Sequence, residues 1–407
     1  MGNYKNCKKY VEVIGMLKQE LTNRMKQLQE RLITNEYDAY IITAEEDIWY
    51  YTNITYKPEE RPFFIIVVPE QTPTLLVPKL EESHVHKSII DYDIVSYWEF
   101  PSSNGSNWYD KLNQLIQGYS RVGIESNVRA DVYHLMKAKE LVLVQLVEAQ
   151  RKVKSVYELE KIRMSAKVCD EAMKNIFNTI YRGASVLEPF TLSKKVQTNL
   201  IKTKQFDPIT TSLLTAVWNA PTSAMPHSIP ELGDRFGEGP NVAMAYYRIN
   251  GYSAECERTF FLGQPTKEDV EMFQHMQNAR NRALSMVRAG VRAADIDEEA
   301  RAYFDQHGLL NRLLHRTGHG VGLRNHEGPY IAEGSNEILE ENMVITIEPG
   351  LYIEGVGGYR HSDTIRVTKD GYEVLTTFPN DLEDMTITKS NILAKLKGKF
   401  IQKYLKL

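Results

Sequence analysis

The sequence predicts an α/β (α+β) chain folded as two domains, and three observations carry that expectation. Its 407 residues exceed the roughly 250–300 at which a single hydrophobic core stops growing. Short β-branched runs alternate with helical stretches through the first 150 residues, the pattern of a sheet covered by helices. Near residue 155 the texture changes to a long amphipathic helix followed by Gly-rich loops. The expected boundaries are therefore 1–154, 155–388 and a basic tail at 389–407.

The elements follow in chain order. "EVIGMLKQELTNRMKQLQERL" spaces its apolar residues along one helical face. The runs "DAYIIT", "PFFIIVV", "TLLV", "DIVSYW", "RVGIE" and "LVLVQLV" are short, β-branched and separated by turns or helical segments, so each reads as a strand of a mixed sheet. "SVYELEKIRMSAKVCDEAMKNIFNTI" opens on Ser155 with Glu158 three residues on, a capping box that starts a long helix. "EAMKNIFNTIYRGASVLEPF" is then echoed by "RALSMVRAGVRAADIDEE": an apolar helical stretch, a glycine, a second helix. Each copy leads to a loop bearing histidine and proline, "TSAMPHSIP" and "RNHEGPY". Two halves related by a pseudo-twofold would place those loops around one pocket. The tail "TKSNILAKLKGKFIQKYLKL" carries six lysines and no acid, with Ile392, Leu393, Leu396, Phe400 and Tyr404 on one helical face. It reads as a helix that packs on the body or frays, with an anionic membrane surface as the alternative.

Composition excludes several classes. A formal net charge of −4 without a basic cluster in the body argues against nucleic acid as a partner. No G-x-G-x-x-G or Walker loop supports a nucleotide site. The three cysteines, Cys7, Cys169 and Cys256, lack CxxC spacing, which predicts neither a disulfide framework nor structural zinc and fits a reducing cytoplasm. The start lacks a signal peptide, Asn6 breaks the myristoylation pattern after Gly2, and no apolar run is long enough for a membrane span.

The chemistry concentrates in the second half. "HRTGHGVGLRNHEGPY" sets His315, His319, His326 and Glu327 among glycines, and "VITIEPG" delivers Glu348 into a Pro-Gly turn. With "AMPHSIP", which carries His227, "NGYSAECERTFFLG" and "GGYRHSDTIRVT", these stretches resemble in order and spacing the pita-bread superfamily of prolidase, aminopeptidase P, methionine aminopeptidase and creatinase. The resemblance spans roughly residues 156–388, and the region before it resembles the N-terminal domain of the prolidase and creatinase branch. It implies a creatinase/prolidase-like domain followed by a pita-bread domain, and a homodimer.

The metallopeptidases of that fold hold two metal ions on five ligands, whose positions fall here on Met244, Glu255, His319, Glu348 and Ser362. A thioether and a neutral hydroxyl are poor partners for ions held by bridging carboxylates. No cofactor is expected on that count, a single divalent metal being the alternative. The creatinase branch works without metal, and "GYSAECERT" sets Glu257 on its cation-binding glutamate. The resemblance then implies catalytic roles for His227, His326 and Glu348, and substrate binding by Glu255, Glu257, His319, Glu327 and Arg61, the last reaching into a partner subunit's site.

The residues support that chemistry independently. Clustered carboxylates raise one another's pKa and attract a cationic group, and a histidine beside them can take and return a proton. A strand points Glu255 and Glu257 to one face and Arg258 to the other. His315 reads equally as structural, and Arg360 with Asp363 as a structural ion pair or a rim. The leading expectation is a cytoplasmic, metal-independent hydrolase cleaving a C–N bond of a small zwitterionic guanidino or amidine substrate. The alternatives are an Xaa-Pro dipeptidase or aminopeptidase with an altered metal site, and a catalytically silent peptide-binding module.

Overall fold

A computed structural model describes residues 2–57, 59–86, 88–231, 233–388 and 391–405. The chain divides into two compact units, Met1–Arg151 and Lys152–Leu407.

In the first unit a helix, Gly2–Thr34, precedes six strands: β1 (Ala39–Ile42), β2 (Phe64–Val67), β3 (Thr74–Pro78), β4 (Asp93–Tyr97), β5 (Arg121–Ile124) and β6 (Glu140–Leu143). They form one sheet in the order β4-β3-β2-β1-β5-β6. The β1–β2 and β2–β3 pairs are antiparallel and the others parallel, so the sheet is mixed. Every residue of β1 and β2 is buried, as befits strands covered on both faces. One expected strand is shorter than its apolar run. "LVLVQLV" leaves the sheet after Leu143 and turns into the helix Leu146–Lys152, where Leu146 and Val147 supply the buried side. A continuous apolar run does not separate strand from buried helix.

The second unit opens on the helix Val156–Thr179, whose start is the predicted capping box. Ser155 Oγ accepts from the Glu158 amide and the Glu158 carboxylate from the Ser155 amide. Its strands are β7 (Ser212–Trp218), β8 (Asn241–Ile249), β9 (Tyr252–Leu262), β10 (Gly318–Gly320), β11 (Glu327–Ile331), β12 (Val344–Thr346), β13 (Leu351–Ile353), β14 (Gly357–Tyr359), β15 (Ser362–Val367), β16 (Tyr372–Val374) and β17 (Thr386–Ile387). Among the described residues, nine of them make one sheet with the path β11-β10-β12-β15-β9-β8-β7. The internal echo is visible in the backbone. Gly183 and Gly290 both adopt positive φ after the long helices, a conformation glycine reaches without a Cβ penalty. Second helices, Leu192–Lys202 and Ala293–Gln306, then lead to β7 and β10.

The tail forms the helix Ile392–Leu405. Lys389, Ser390, Lys406 and Leu407 lie outside the described residues, as does the side chain of Cys7. No helix among the described residues is long and apolar enough to cross a membrane.

Candidate active site

β9 is the platform of the site, buried along its whole length. Its alternation sends Glu255 and Glu257 to one face. In register, Tyr246 of β8 lies opposite Glu255, while Met244 of β8 and Ser362 of β15 lie on either side of Glu257. The two positions that carry no carboxylate thus flank Glu257.

That flank is filled from within. Arg360 Nη2 donates to Glu257 Oε1 at 2.9 Å, and its Nε donates to the other carboxylate oxygen. Arg360 Nη1 donates to the Tyr352 hydroxyl at 3.0 Å. The hydroxyl lies 2.7 Å from His315 Nε2, and His315 Nδ1 lies 2.7 Å from the Arg316 carbonyl. A carbonyl only accepts, so His315 carries its proton on Nδ1 and Nε2 receives the tyrosine's. Ser362 Oγ donates to Glu255 Oε1 at 2.9 Å.

The opposite wall comes from the Gly-rich run. A Cβ on Gly318 would sit 2.1 Å from the Thr346 carbonyl oxygen, and one on Gly320 2.1 Å from that of Gly328. Only glycine lets β10 approach its neighbours this closely, and His319 lies between the two. Its Nδ1 donates to the Gly320 carbonyl at 3.1 Å, which aims Nε2 at the carboxylates, 3.2 Å from Glu348 Oε1 and 3.8 Å from Glu255 Oε1. Nε2 is buried and makes no hydrogen bond of acceptable geometry. The His326 ring packs on His319, centroid to centroid 4.0 Å.

The groups shift one another's protonation. Burial and then the Glu348 charge push the Glu255 carboxyl up to about 8. Burial works against a charge on His319, but Glu255 and Glu348 outweigh it and lift the ring to about 9. Burial likewise opposes the Glu348 charge, and His319 overcomes it, holding that carboxyl well below the usual range. His326, desolvated and beside His319, falls to about 4 and is neutral at physiological pH. Burial opposes the Arg360 charge as well, and Glu257 keeps it well above the ordinary arginine value.

A cleft of about 720 Å3 gathers these residues, lined by Glu255, Glu257, His319, His326, Glu348 and Arg360, with His227, His315, Arg316, Met244 and Trp218 around them. That is the size of an ordinary small-molecule site. His227 is exposed on its loop, which is tied down by a 2.7 Å bond from Trp218 Nε1 to the Ser228 carbonyl.

Several expectations change. Glu327 does not line the cleft: it is buried against Lys154 Nζ at 3.2 Å and accepts from the Arg324 amide, so it braces the turn carrying His326. Arg360 and Asp363 are not partners. The period of two sends Arg360 and Ser362 toward the cleft, and His361 and Asp363 away from it. Asp363 instead binds Arg258 at 2.8 Å and Arg280 at 2.6 Å, and His361 packs against Phe273. Arg61 lies in the first unit, paired with Glu99 at 2.6 Å and with Glu60. Sequence reasoning passed over Arg316, whose Nε is buried without a partner and whose guanidinium lies 4.7 Å from the Tyr330 ring centroid. The signal was its place between His315 and Thr317.

The donor set does not fit a two-ion centre, since Met244 and Ser362 supply no carboxylate and Arg360 already neutralises Glu257. It does fit one ion. Glu255, His319 and His326 offer donor atoms within 4.8 Å of one another. His319, with Nδ1 on a backbone carbonyl and Nε2 directed at the Glu348 and Glu255 carboxylates, has the posture of an imidazole that could ligate an ion once its Nε2 proton is lost.

Comparison with known proteins places this site in a family. Residues 160–369, just over half of the chain, match Metallopeptidase family M24, and residues 24–164 match the Creatinase/Prolidase N-terminal domain. An uncharacterized peptidase of Staphylococcus aureus is 29% identical over 371 residues, covering 87% of this chain and 99% of that protein. The prolidase of Pyrococcus horikoshii superposes with a TM-score of 0.76 at 26% identity, covering 88% of this chain and 99% of that one. An Xaa-Pro dipeptidase from Bacillus anthracis gives 0.76 at 25%, covering 89% and 99%.

Proposed function

Because the chain belongs to metallopeptidase family M24, we propose that it is a prolidase-like hydrolase of small amides that end in a carboxylate, Xaa-Pro dipeptides first among them, with an altered metal site. One observation carries this reading over the guanidino-substrate alternative. Glu257, the group that would receive a substrate guanidinium, is already occupied by the guanidinium of Arg360. Arg316 also lines the cleft, with an Nε that has no hydrogen-bond partner among the described residues, and a bidentate guanidinium is suited to a substrate carboxylate.

The residues divide the work. Arg316 anchors the carboxylate, and Trp218 and Leu214 form the apolar wall for the side chain. His227, on the solvent side, exchanges a proton with the attacking water and the leaving nitrogen. Glu348 and His319 hold complementary charge beneath the reacting carbonyl. A single divalent ion on Glu255, His319 and His326 would supply Lewis acidity there.

A second reading keeps the C–N hydrolysis and dispenses with the ion. It is favoured by Met244 and Ser362, and by the balance of charge that His319 and Arg360 provide against Glu348 and Glu257. Both readings meet in one experiment: purified protein, stripped of metal and then reconstituted with Mn²⁺, Co²⁺ or Zn²⁺, is assayed on Xaa-Pro dipeptides, creatine and guanidinoacetate. Metal-stimulated dipeptide cleavage, reduced roughly 10²–10⁴-fold in His227→Ala, is the expected result. Metal-free turnover of a guanidino acid would replace it with the second reading.

A further inference from the structure

The helix Ile392–Leu405 presents its apolar face to solvent. Ile392, Leu393, Leu396, Phe400 and Tyr404 are 73%, 77%, 62%, 71% and 78% exposed. At 100° per residue they form one stripe about a third of the way round the helix.

The opposite side is the one docked on the body. Gly398 is buried, and a Cβ there would meet the Tyr181 hydroxyl at 2.1 Å. Gln402 Nε2 donates to Glu188 Oε1 at 2.8 Å, and Asn391 Nδ2, just before the helix, to the Asn178 carbonyl at 3.3 Å. Among the described side chains the docking contacts are thus small and polar, and the five large apolar side chains of the stripe are turned outward. Held in this orientation, the five stripe side chains do not stabilise the fold by burial.

Charge identifies what covers the stripe. Lys395, Lys399 and Lys403 border it on one edge and Lys397 on the other, and no acid occurs anywhere in the helix. A second copy of the same face would bring like charges together across the contact. An anionic lipid surface accepts both features, since apolar side chains enter the acyl boundary while flanking lysines reach the headgroup phosphates.

We propose that this helix is a peripheral membrane anchor that docks the protein, stripe down, on anionic bilayers. It lies in the interface plane and does not span. The docking is additional to the hydrolase reading and does not rest on it.

The test is sedimentation of the full chain with phosphatidylcholine vesicles, with and without phosphatidylglycerol, alongside size-exclusion light scattering. Binding is expected only with phosphatidylglycerol and should fade as salt rises. Leu396→Gln with Phe400→Gln should abolish it. These side chains face solvent, so the melting temperature should be unchanged. Each of Lys395→Gln, Lys399→Gln and Lys403→Gln should weaken binding about five-fold. Equal binding to neutral vesicles, or none to either kind, overturns the proposal. So does a concentration-dependent dimer that disappears in the Leu396/Phe400 variant, which would make a second copy the occupant.

Discussion

The two faces of β9 and β15 carry two buried charge clusters built from adjacent residues of the same strands, and they behave in opposite ways. Away from the cleft, Asp363 is held by Arg258 and Arg280, and Arg258 spends further donors on the Ser362, Glu257, Phe378 and Pro379 carbonyls. Toward the cleft, Glu255, Glu257, Glu348, His319 and Arg360 also pair, but the buried Nε2 of His319 and Nε of Arg316, two residues that line the cleft, remain without hydrogen bonds. A saturated buried network rigidifies, whereas an incompletely satisfied one holds capacity for a ligand. Facing alone separates scaffold from chemistry here.

The contrast can be broken or sharpened by substitution. The largest effect belongs to the saturated face. Asp363→Ala leaves two buried guanidinium groups without a carboxylate and should cost about 3–5 kcal/mol in urea denaturation. A loss under 1 kcal/mol would mean that the triad does not hold the sheet. On the cleft face Glu257→Gln keeps one acceptor for Arg360 and removes the charge, so a smaller loss of about 1–3 kcal/mol is expected. Equal losses from the two substitutions would erase the distinction.

The third prediction concerns pH. Glu255 is raised from 4.5 to about 8, so over that interval the folded protein keeps a proton that the unfolded chain has released. The stability contribution is therefore present below about 4.5 and lost as pH rises toward 8. In metal-stripped protein this should appear as a slope of up to about 1.4 kcal/mol per pH unit. Glu255→Gln should flatten the slope, and an unchanged slope in that variant would assign it to another group. The smallest effect is expected from Ser362→Ala, which removes one neutral donor to Glu255 and should cost about 1 kcal/mol.

Much of this was legible in the sequence because periodicity encodes facing. The strands of the first unit, the Ser155 cap, the common face of Glu255 and Glu257 and the opposite facing of Arg258 all follow from spacing. The gathering of His227, His319, His326 and Glu348 in one cleft was legible instead through the family resemblance that the ordered motifs carry. What spacing does not encode is which side chain reaches across. Arg360 fills the Glu257 position from a segment 103 residues later in the chain, and Glu327 turns to Lys154 although it is adjacent to a cleft residue. The apolar face of the tail was legible too. Its orientation away from the body was not, because packing decides it.

Gly318 and Gly320 have a consequence for how such chains are recognised. Any side chain at either position collides with a neighbouring carbonyl, so drift is constrained there whether or not an ion is ever bound beside them. The glycines of "TGHG" therefore report how closely β10 must approach its neighbours. A search keyed to those glycines reports the approach of the strands and not the presence of an ion, whereas Met244 and Ser362 bear directly on what the cleft can hold.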